Sequence, residues 1–385
     1  MKGSLKLFVP LLAATPWFLA GAQTLGKVKL VLPNPVLSYR DAAQPYPRYV
    51  TDTNVPGNVA IADNTPADNP ITDNGATLGR VLFYDRSLSR NNTTSCGSCH
   101  QQSHGFSDPA RFSKGLYGGF TTRHSMGITH SRYYQNGKFF WDERAPTLED
   151  QTLQPIQNSV EMDMTLPEVV QRLQSKPYYG PLFQAAFGTT TVTSDRISKA
   201  LAQFVRSIVS YRTKFDSAID ANGVPHFQQV FTPQEFLGMR LFQPVQGFPI
   251  ISRGCDRCHV ATGQISTQAR NNGLDLVTQG GGKFKAPSLR NVAVRGPYMH
   301  DGRFPSLTAV VNFYNNGVQN NPDLDPLMRN PQTGQPQKLN LQPNEIDALV
   351  AFLGTLTDIG IRNDPKFSDP FVYFGVTQTT LPPTF

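Results

Sequence analysis

All four cysteines of this 385-residue chain fall in two short units, Cys96-Gly97-Ser98-Cys99-His100 and Cys255-Asp256-Arg257-Cys258-His259. Two thiols three positions apart can add to the two vinyl groups of one porphyrin. A His directly after them then reaches the iron from the same side. A C-x-x-C redox pair needs no following His and no second copy. A four-cysteine zinc site would use the thiols but leave both histidines without a task. The residues therefore predict two covalently bound haem c groups, with His100 on haem iron 1 and His259 on haem iron 2. No cysteine is left for a disulfide.

The elements that position these units repeat as well. Leu78-Gly79-Arg80-Val81-Leu82-Phe83 and Leu237-Gly238-Met239-Arg240-Leu241-Phe242 share L-G-x-x-L-F, and in each copy the Phe stands 13 positions before the first Cys. The two copies are offset by 159 residues. This predicts two related haem domains, each with a helix leading into its haem loop. Thr232-Pro233-Gln234-Glu235 reads as the start of the second helix, with Thr capping, Pro in the first turn and Glu three residues on. Apolar residues at helical spacing recur in 166–173, 197–209, 236–242, 307–314 and 346–356. Ser194 and Ser306 are the expected N-caps of the second and fourth of these. Strand alternation is scarce, and Gly/Pro/Asn-bearing loops fill 105–137, 262–300 and 317–342. The expected fold is mainly α: two related cytochrome c-like haem domains with long loops and little β. A hydrophobic content of 39% suits such domains, because the porphyrin supplies part of the core.

The N-terminus, MKGSLKLFVPLLAATPWFLAGAQ, has Lys2 and Lys6 before an apolar run, which Pro10 and Pro16 interrupt. Ala20-Gly21-Ala22 then offers small residues for cleavage. This is the pattern of a secretory signal peptide rather than an anchor, and it predicts export to the periplasm. From Gln23 onward, 33 basic residues face 28 acidic ones, a balance of +5. With no long Lys/Arg run, the charge gives no case for nucleic acid, and it suits an acidic redox partner. The expected division is residues 1–22 signal peptide, 23–72 an extended segment rich in Pro, Asn and Asp, 73–222 an N-terminal haem c domain, and 223–385 a C-terminal haem c domain and tail. No membrane span is expected in the mature chain.

Over roughly residues 75–357 the sequence resembles the bacterial di-haem cytochrome c peroxidase and MauG family. The resemblance rests on LGRVLFYDRSLSRNNTTSCGSCH, FFWDERAPTLEDQTLQPIQNSVEM, APSLRNVAVRGPYMHDGRF and LNLQPNEIDALVAFLGTLT. It implies hydrogen peroxide as substrate at the first haem, which makes 73–222 the peroxide-reacting domain and the second haem the electron-transfer centre. In the peroxidase branch a distal His occupies the first iron, seven residues before an Arg-Asn-Ser/Thr segment. Here that segment reads Arg123-His124-Ser125, and the counted position is Leu116, which cannot ligate. The first haem is then open at rest, as in the MauG branch, unless His104, His124 or His130 takes the place. The resemblance assigns Gln151 and Glu161 to the peroxide site, Glu161 to move the proton and Gln151 to orient the oxygens. It puts Trp141, the only Trp after the signal peptide, between the haems as an electronic bridge. It assigns the second iron's far ligand to Tyr314, with Met299 and His300 as rivals. A phenolate favours oxidised iron, whereas the Met of the peroxidases favours the reduced form.

Two positions depart from the family pattern. The family's interdomain calcium uses an Asn where His124 stands and carbonyls at Arg295 and Pro297. Imidazole is a poor calcium ligand, which argues against calcium here. The surface Trp through which MauG oxidises its protein substrate is Arg253, which weakens a direct copy of that reaction. Three readings follow: MauG-like oxidation of a partner protein, reduction of peroxide with electrons from a small redox protein, and a non-catalytic di-haem electron carrier. Leu116 and Tyr314 favour the first, and Gln151 and Glu161 count against the last.

Overall fold

Both L-G-x-x-L-F segments are helical in the computed structural model, which describes residues 28–41, 46–55, 58–260, 268–276 and 282–373. The expected signal peptide lies outside the described residues. In chain order the helices are α1 (Arg48–Thr51), α2 (Asp73–Tyr84), α3 (Cys96–Cys99), α4 (Leu148–Gln157), α5 (Leu166–Gln174), α6 (Tyr179–Phe187), α7 (Ser194–Ser207), α8 (Lys214–Ser217), α9 (Phe227–Val230), α10 (Pro233–Phe242), α11 (Leu307–Asn312) and α12 (Pro343–Gly354). Strand among the described residues is confined to two antiparallel pairs. One joins β1 (Val28–Leu30) to β4 (Phe371–Tyr373), and the other joins β2 (Ala269–Arg270) to β3 (Phe284–Lys285). The β1–β4 pair belongs to one compact unit, and residues 32–370 form the other. The mainly helical expectation, with long loops and little β, is met.

The glycine of each repeat explains the packing. Helix α2 lies against α7, and α10 against α12. A Cβ on Gly79 would sit 1.9 Å from the Ala200 carbonyl oxygen and 2.7 Å from Phe204 Cβ. A Cβ on Gly238 would sit 1.9 Å from the Ala348 carbonyl oxygen and 2.9 Å from Phe352 Cβ. The same crossing is thus built twice, with glycine letting two backbones touch. The partner helices match too: Ala200-Leu201-Ala202-Gln203-Phe204 answers Ala348-Leu349-Val350-Ala351-Phe352. Around the first crossing Leu78, Val81, Leu82, Leu201 and Phe204 are fully buried. Around the second, Met239, Leu241, Phe242, Leu349 and Phe352 form the equivalent core.

Local signals set the helix starts. The Thr232 hydroxyl accepts from the Glu235 amide at 3.2 Å, and the Glu235 carboxylate accepts from the Thr232 amide at 2.7 Å. Ser306 caps α11, accepting from the Ala309 amide at 3.2 Å. For α7 the cap is Thr193 rather than Ser194. Thr193 has the extended backbone a cap requires, and its hydroxyl accepts from the Arg196 amide at 3.2 Å, so Ser194 becomes the first helical residue. Helix α4 carries no clear apolar period and contains Pro155, which hid it from periodicity.

The N-terminal segment is more than a lead-in. Tyr49, Val50, Val55, Val59 and Ala62 pack with Tyr133, Val209 and Tyr211. Beneath them Arg290 Nη1 lies 2.7 Å from both Asp216 carboxylate oxygens, and the Tyr49 hydroxyl donates to the same carboxylate. This buried pair ties the segment to α8 and to the 286–304 stretch. Among the described residues no helix is long and apolar enough to cross a membrane.

Candidate active site

Helix α3 is a single turn that carries both thiols of the first unit, and His100 follows at its C-cap. All four cysteines are free thiols. Burial pushes the Cys96 thiol up to about 12 and Cys99 to about 11, so both are neutral at pH 7. His100 Nδ1 lies 3.3 Å from the Phe106 carbonyl oxygen. That contact favours the proton on Nδ1 and leaves Nε2 for a metal.

A loop closes over this unit. The Gly115 amide donates to the Gly119 carbonyl at 2.6 Å, and the Leu116 amide to the Val160 carbonyl at 2.8 Å. A Cβ on Gly115 would stand 2.2 Å from that Val160 oxygen, so the approach requires glycine. Leu116 is thereby held, buried, against the turn that carries Glu161. Burial raises the Glu161 pKa, with Arg144 opposing. Its charge acts on both Cys96 and Cys99, so the carboxylate lies within electrostatic reach of the first unit. Glu161 opens on a cavity of about 350 Å³ whose walls include Phe140, Arg144, Gln154, Pro155 and Asn158. Gln151 lies one turn earlier on α4 and is not part of that wall. Pro155 has no amide to give the Gln151 carbonyl its helical bond.

The three spare histidines of the first half are held locally. His104 Nδ1 is 3.0 Å from the Ser103 hydroxyl. His124 is buried, with Nε2 at 3.2 Å from the Ser107 hydroxyl and Nδ1 at 3.2 Å from the Ala110 and Arg111 carbonyls. His130 Nε2 accepts from the Ser210 amide at 3.0 Å.

At the second unit, Cys255–Arg257 is a 3-10 turn. Burial and then the Arg295 charge lower His259 to about 4, leaving it neutral, the form that ligates iron. Helix α11 runs on into a π turn, Phe313–Gly317, which carries Tyr314. Such turns, with one residue more than an α turn, recur at functional sites. Burial raises the Tyr314 phenol to about 12; a bond from Asn272 opposes this, and the charges of Cys258 and Cys255 add to it. The phenol therefore lies within electrostatic reach of the second pair of thiols. Asn272 Nδ2 donates to Tyr314 Oη at 3.2 Å and stands 3.8 Å from Met299 Sδ. His300 instead stacks on Phe284, ring centres 3.7 Å apart.

Trp141 lies between the halves. Its indole N–H donates to the His124 carbonyl at 2.7 Å, its carbonyl accepts from the Lys285 amide at 2.7 Å, and its ring meets His300 edge-on at 6.5 Å. Lys285 is buried, with Nζ 3.8 Å from the Tyr134 ring centre and 4.5 Å from that of Phe139. Burial draws its pKa down to about 7 against the pull of Glu143. Arg253 lies half-buried, its guanidinium 3.6 Å from Glu345 at the start of α12.

Two free thiols and a neutral imidazole at each unit fit a haem. Calcium does not fit. Both His124 nitrogens are engaged, and the Arg295 guanidinium is buried close enough for its charge to act on His124. Sequence reasoning missed Asn272, Gln154 and Lys285. Nothing in the spacing ties position 272 to 314. Gln154 and Lys285, by contrast, lie in or beside quoted motifs and could have been weighed.

A family model for di-haem cytochrome c peroxidase matches residues 73–223. The methylamine utilization protein MauG of Paracoccus denitrificans is 32% identical over 373 residues, covering 78% of this chain and 92% of that protein. The chain belongs to the di-haem cytochrome c peroxidase and MauG family. Haem is therefore its cofactor class and peroxide chemistry its enzyme class. Within the family, the cytochrome c551 peroxidase of Nitrosomonas europaea is 30% identical over 315 residues, 77% of this chain and 83% of that one. A solved MauG-like protein associated with microbial copper homeostasis superposes with a TM-score of 0.68 at 29% identity, covering 80% of this chain and 96% of that one.

Proposed function

We propose that this family member is an exported, periplasmic, MauG-like oxidoreductase. It would react with hydrogen peroxide at a first haem and withdraw electrons from a partner protein through a second. Cys96, Cys99 and His100 would hold one haem c, and Cys255, Cys258, His259 and Tyr314 the other. Residues 73–222 and 223–385 would be the two haem domains, with the boundary in the turn around Gly223. When bound, the haems supply the redox chemistry, reducing peroxide and storing the oxidising equivalents.

The chain's own residues would then do the following. Glu161 takes a proton from the near oxygen of peroxide and delivers it to the leaving oxygen. Its raised pKa brings it closer to neutrality, where such an exchange is efficient. Gln154 in the cavity wall and Gln151 one turn before it are amides able to orient the oxygens. Leu116 fills the loop position from which an imidazole would otherwise reach in. Trp141, bonded to His124 and Lys285 and facing His300, links the halves. Tyr314 supplies an anionic oxygen at the second unit, and Asn272 fixes its direction.

The observation that carries this reading is the asymmetry of the two units: a buried carboxylate with a raised pKa within reach of the first pair of thiols and a buried phenol within reach of the second. EPR of the oxidised holoprotein tests it. One high-spin and one low-spin ferric signal are expected. Two low-spin signals with no high-spin component would refute an open first site. Met299, 3.8 Å from the same Asn272 amide, supports a second reading. A thioether at the second iron would make the protein a peroxidase fed by a small redox protein. A charge-transfer band from thioether rather than phenolate would establish that alternative.

A further inference from the structure

Arg295 is a buried cation without a carboxylate. It is 5% exposed. Its Nη2 donates to the Ser288 carbonyl, and its Nη1 is buried with no hydrogen-bond partner among the described residues. Every Asp and Glu of the chain lies among the described residues, yet none acts on this guanidinium; the one group that raises its pKa is the Tyr298 phenol. An ion left unpaired in the interior is strongly destabilising, so a persistent one implies a counter-charge from elsewhere.

The place is also built for it. Gly127 leaves the room: a Cβ there would stand 2.6 Å from Nη1 and 2.9 Å from Cδ. Gly127 is not one of the positive-φ glycines, so close approach, not backbone conformation, accounts for it. Val292 and Tyr298, three residues to either side of Arg295, pack in the core cluster that holds Phe242 and Cys255. The stretch that carries the guanidinium is therefore built into the second unit.

A haem brings carboxylates of its own, the two propionates at one porphyrin edge. We propose that Arg295 Nη1 binds a propionate of the second haem and that its charge raises that haem's reduction potential. A fixed cation near an iron favours the electron-rich ferrous state. The inference rests on the two-haem reading above and deepens it.

The test compares holoprotein of the wild type, Arg295→Gln, Arg295→Lys and Gly127→Ala. Haem is counted by pyridine haemochrome, each potential is measured by spectroelectrochemical titration, and the propionate bending mode is followed by resonance Raman. In Arg295→Gln both haems should remain. The reduction equilibrium of the His259 haem should fall roughly tenfold, about 59 mV for one electron, while the His100 haem is unmoved. Arg295→Lys should keep most of the potential but shift the propionate mode, because one ammonium replaces a planar fork. Gly127→Ala, which pushes the guanidinium aside, should shift potential and mode in the direction of Arg295→Gln. Two-haem protein with unchanged potentials and an unchanged propionate mode overturns the proposal alone. Protein that takes up fewer than two haems in the wild type overturns the haem reading beneath it. If Arg295→Gln does not fold, the other two variants decide by the same criteria.

Discussion

Glu161 carries two separable consequences. As the proton-moving group, its replacement in Glu161→Gln should leave haem content intact and slow the reaction with peroxide by ~10²-fold or more. Stopped-flow mixing measures this, and a near-wild-type rate would return Glu161 to the role of a structural turn residue. Burial also holds its native pKa above the ordinary carboxylate range. A raised native pKa means the native state binds its proton more tightly than the unfolded chain. That contribution to stability is complete below the unfolded pKa and is lost as pH rises through the native one. Gln cannot ionise, so Glu161→Gln should melt higher than wild type at pH 7 and no higher at pH 4, as thermal denaturation of the holoprotein would record. Asn272 makes a second residue-scale test. Its amide donates to Tyr314 Oη, drawing electron density from an oxygen that would face iron. Asn272→Leu should strengthen that donor and lower the second haem's potential, with haem content unchanged. The attachment residues were legible because covalent haem chemistry dictates their spacing. Asn272 was not, since a contact between residues 42 positions apart in irregular chain leaves no periodic trace.

At the scale of elements, the repeated glycines give parallel predictions. Gly79→Ala and Gly238→Ala would each drive a methyl into a carbonyl 1.9 Å away. Each should lower stability by about 1–3 kcal/mol, the ordinary range for overpacking. Calorimetry of the holoproteins measures the loss, and the damage should be local. Gly79→Ala should loosen the first haem's environment and Gly238→Ala the second's, seen as separate shifts in the two sets of haem absorption bands. Period and caps announced α5, α7, α10, α11 and α12 in the sequence. Yet the partner half of each crossing, Ala200 with Phe204 and Ala348 with Phe352, could not be read. Three residues, Ala, Leu and Phe, shared between helices of otherwise different composition fall below what a one-dimensional pattern detects. Thr193 in place of Ser194 is an error of one position, and adjacent hydroxyl residues are equally able to cap until the backbone chooses.

For the whole molecule, the proposed open site at Leu116 would govern the order of events. The diferric protein should react with one equivalent of peroxide without first being given an electron, which rapid-scan optical spectroscopy would follow. A protein inert until reduced would establish the peroxidase reading in its place. The halves should also need no divalent cation between them. Treatment with EDTA should leave both haem potentials and the peroxide rate unchanged, whereas a loss restored by calcium would mean that His124 and Arg295 rearrange to admit the ion. The sequence suggested that much through His124. It could not reveal that the cation beside it is unpaired, because pairing is a property of three-dimensional neighbourhood.

The π turn at Phe313–Gly317 makes the identity of the second unit's oxygen donor a matter of chain length as well as residue type. It holds one residue more than an α-helical path would. Its neighbours fix the surplus: the Asn315 carboxamide oxygen accepts from the Leu341 amide at 2.8 Å, and its Nδ2 donates to the Leu341 carbonyl at 3.2 Å. Excising Asn312, the last residue of α11, would allow the segment to relax to an α turn and rotate the residues beyond it, Tyr314 among them, by ~100°. Tyr314 would lose its bearing on Cys255 and Cys258 without being mutated. A single-codon deletion could thus recast the redox character of the protein as thoroughly as a substitution of the tyrosine, and alignments that score only which residue occupies the column would not register the change.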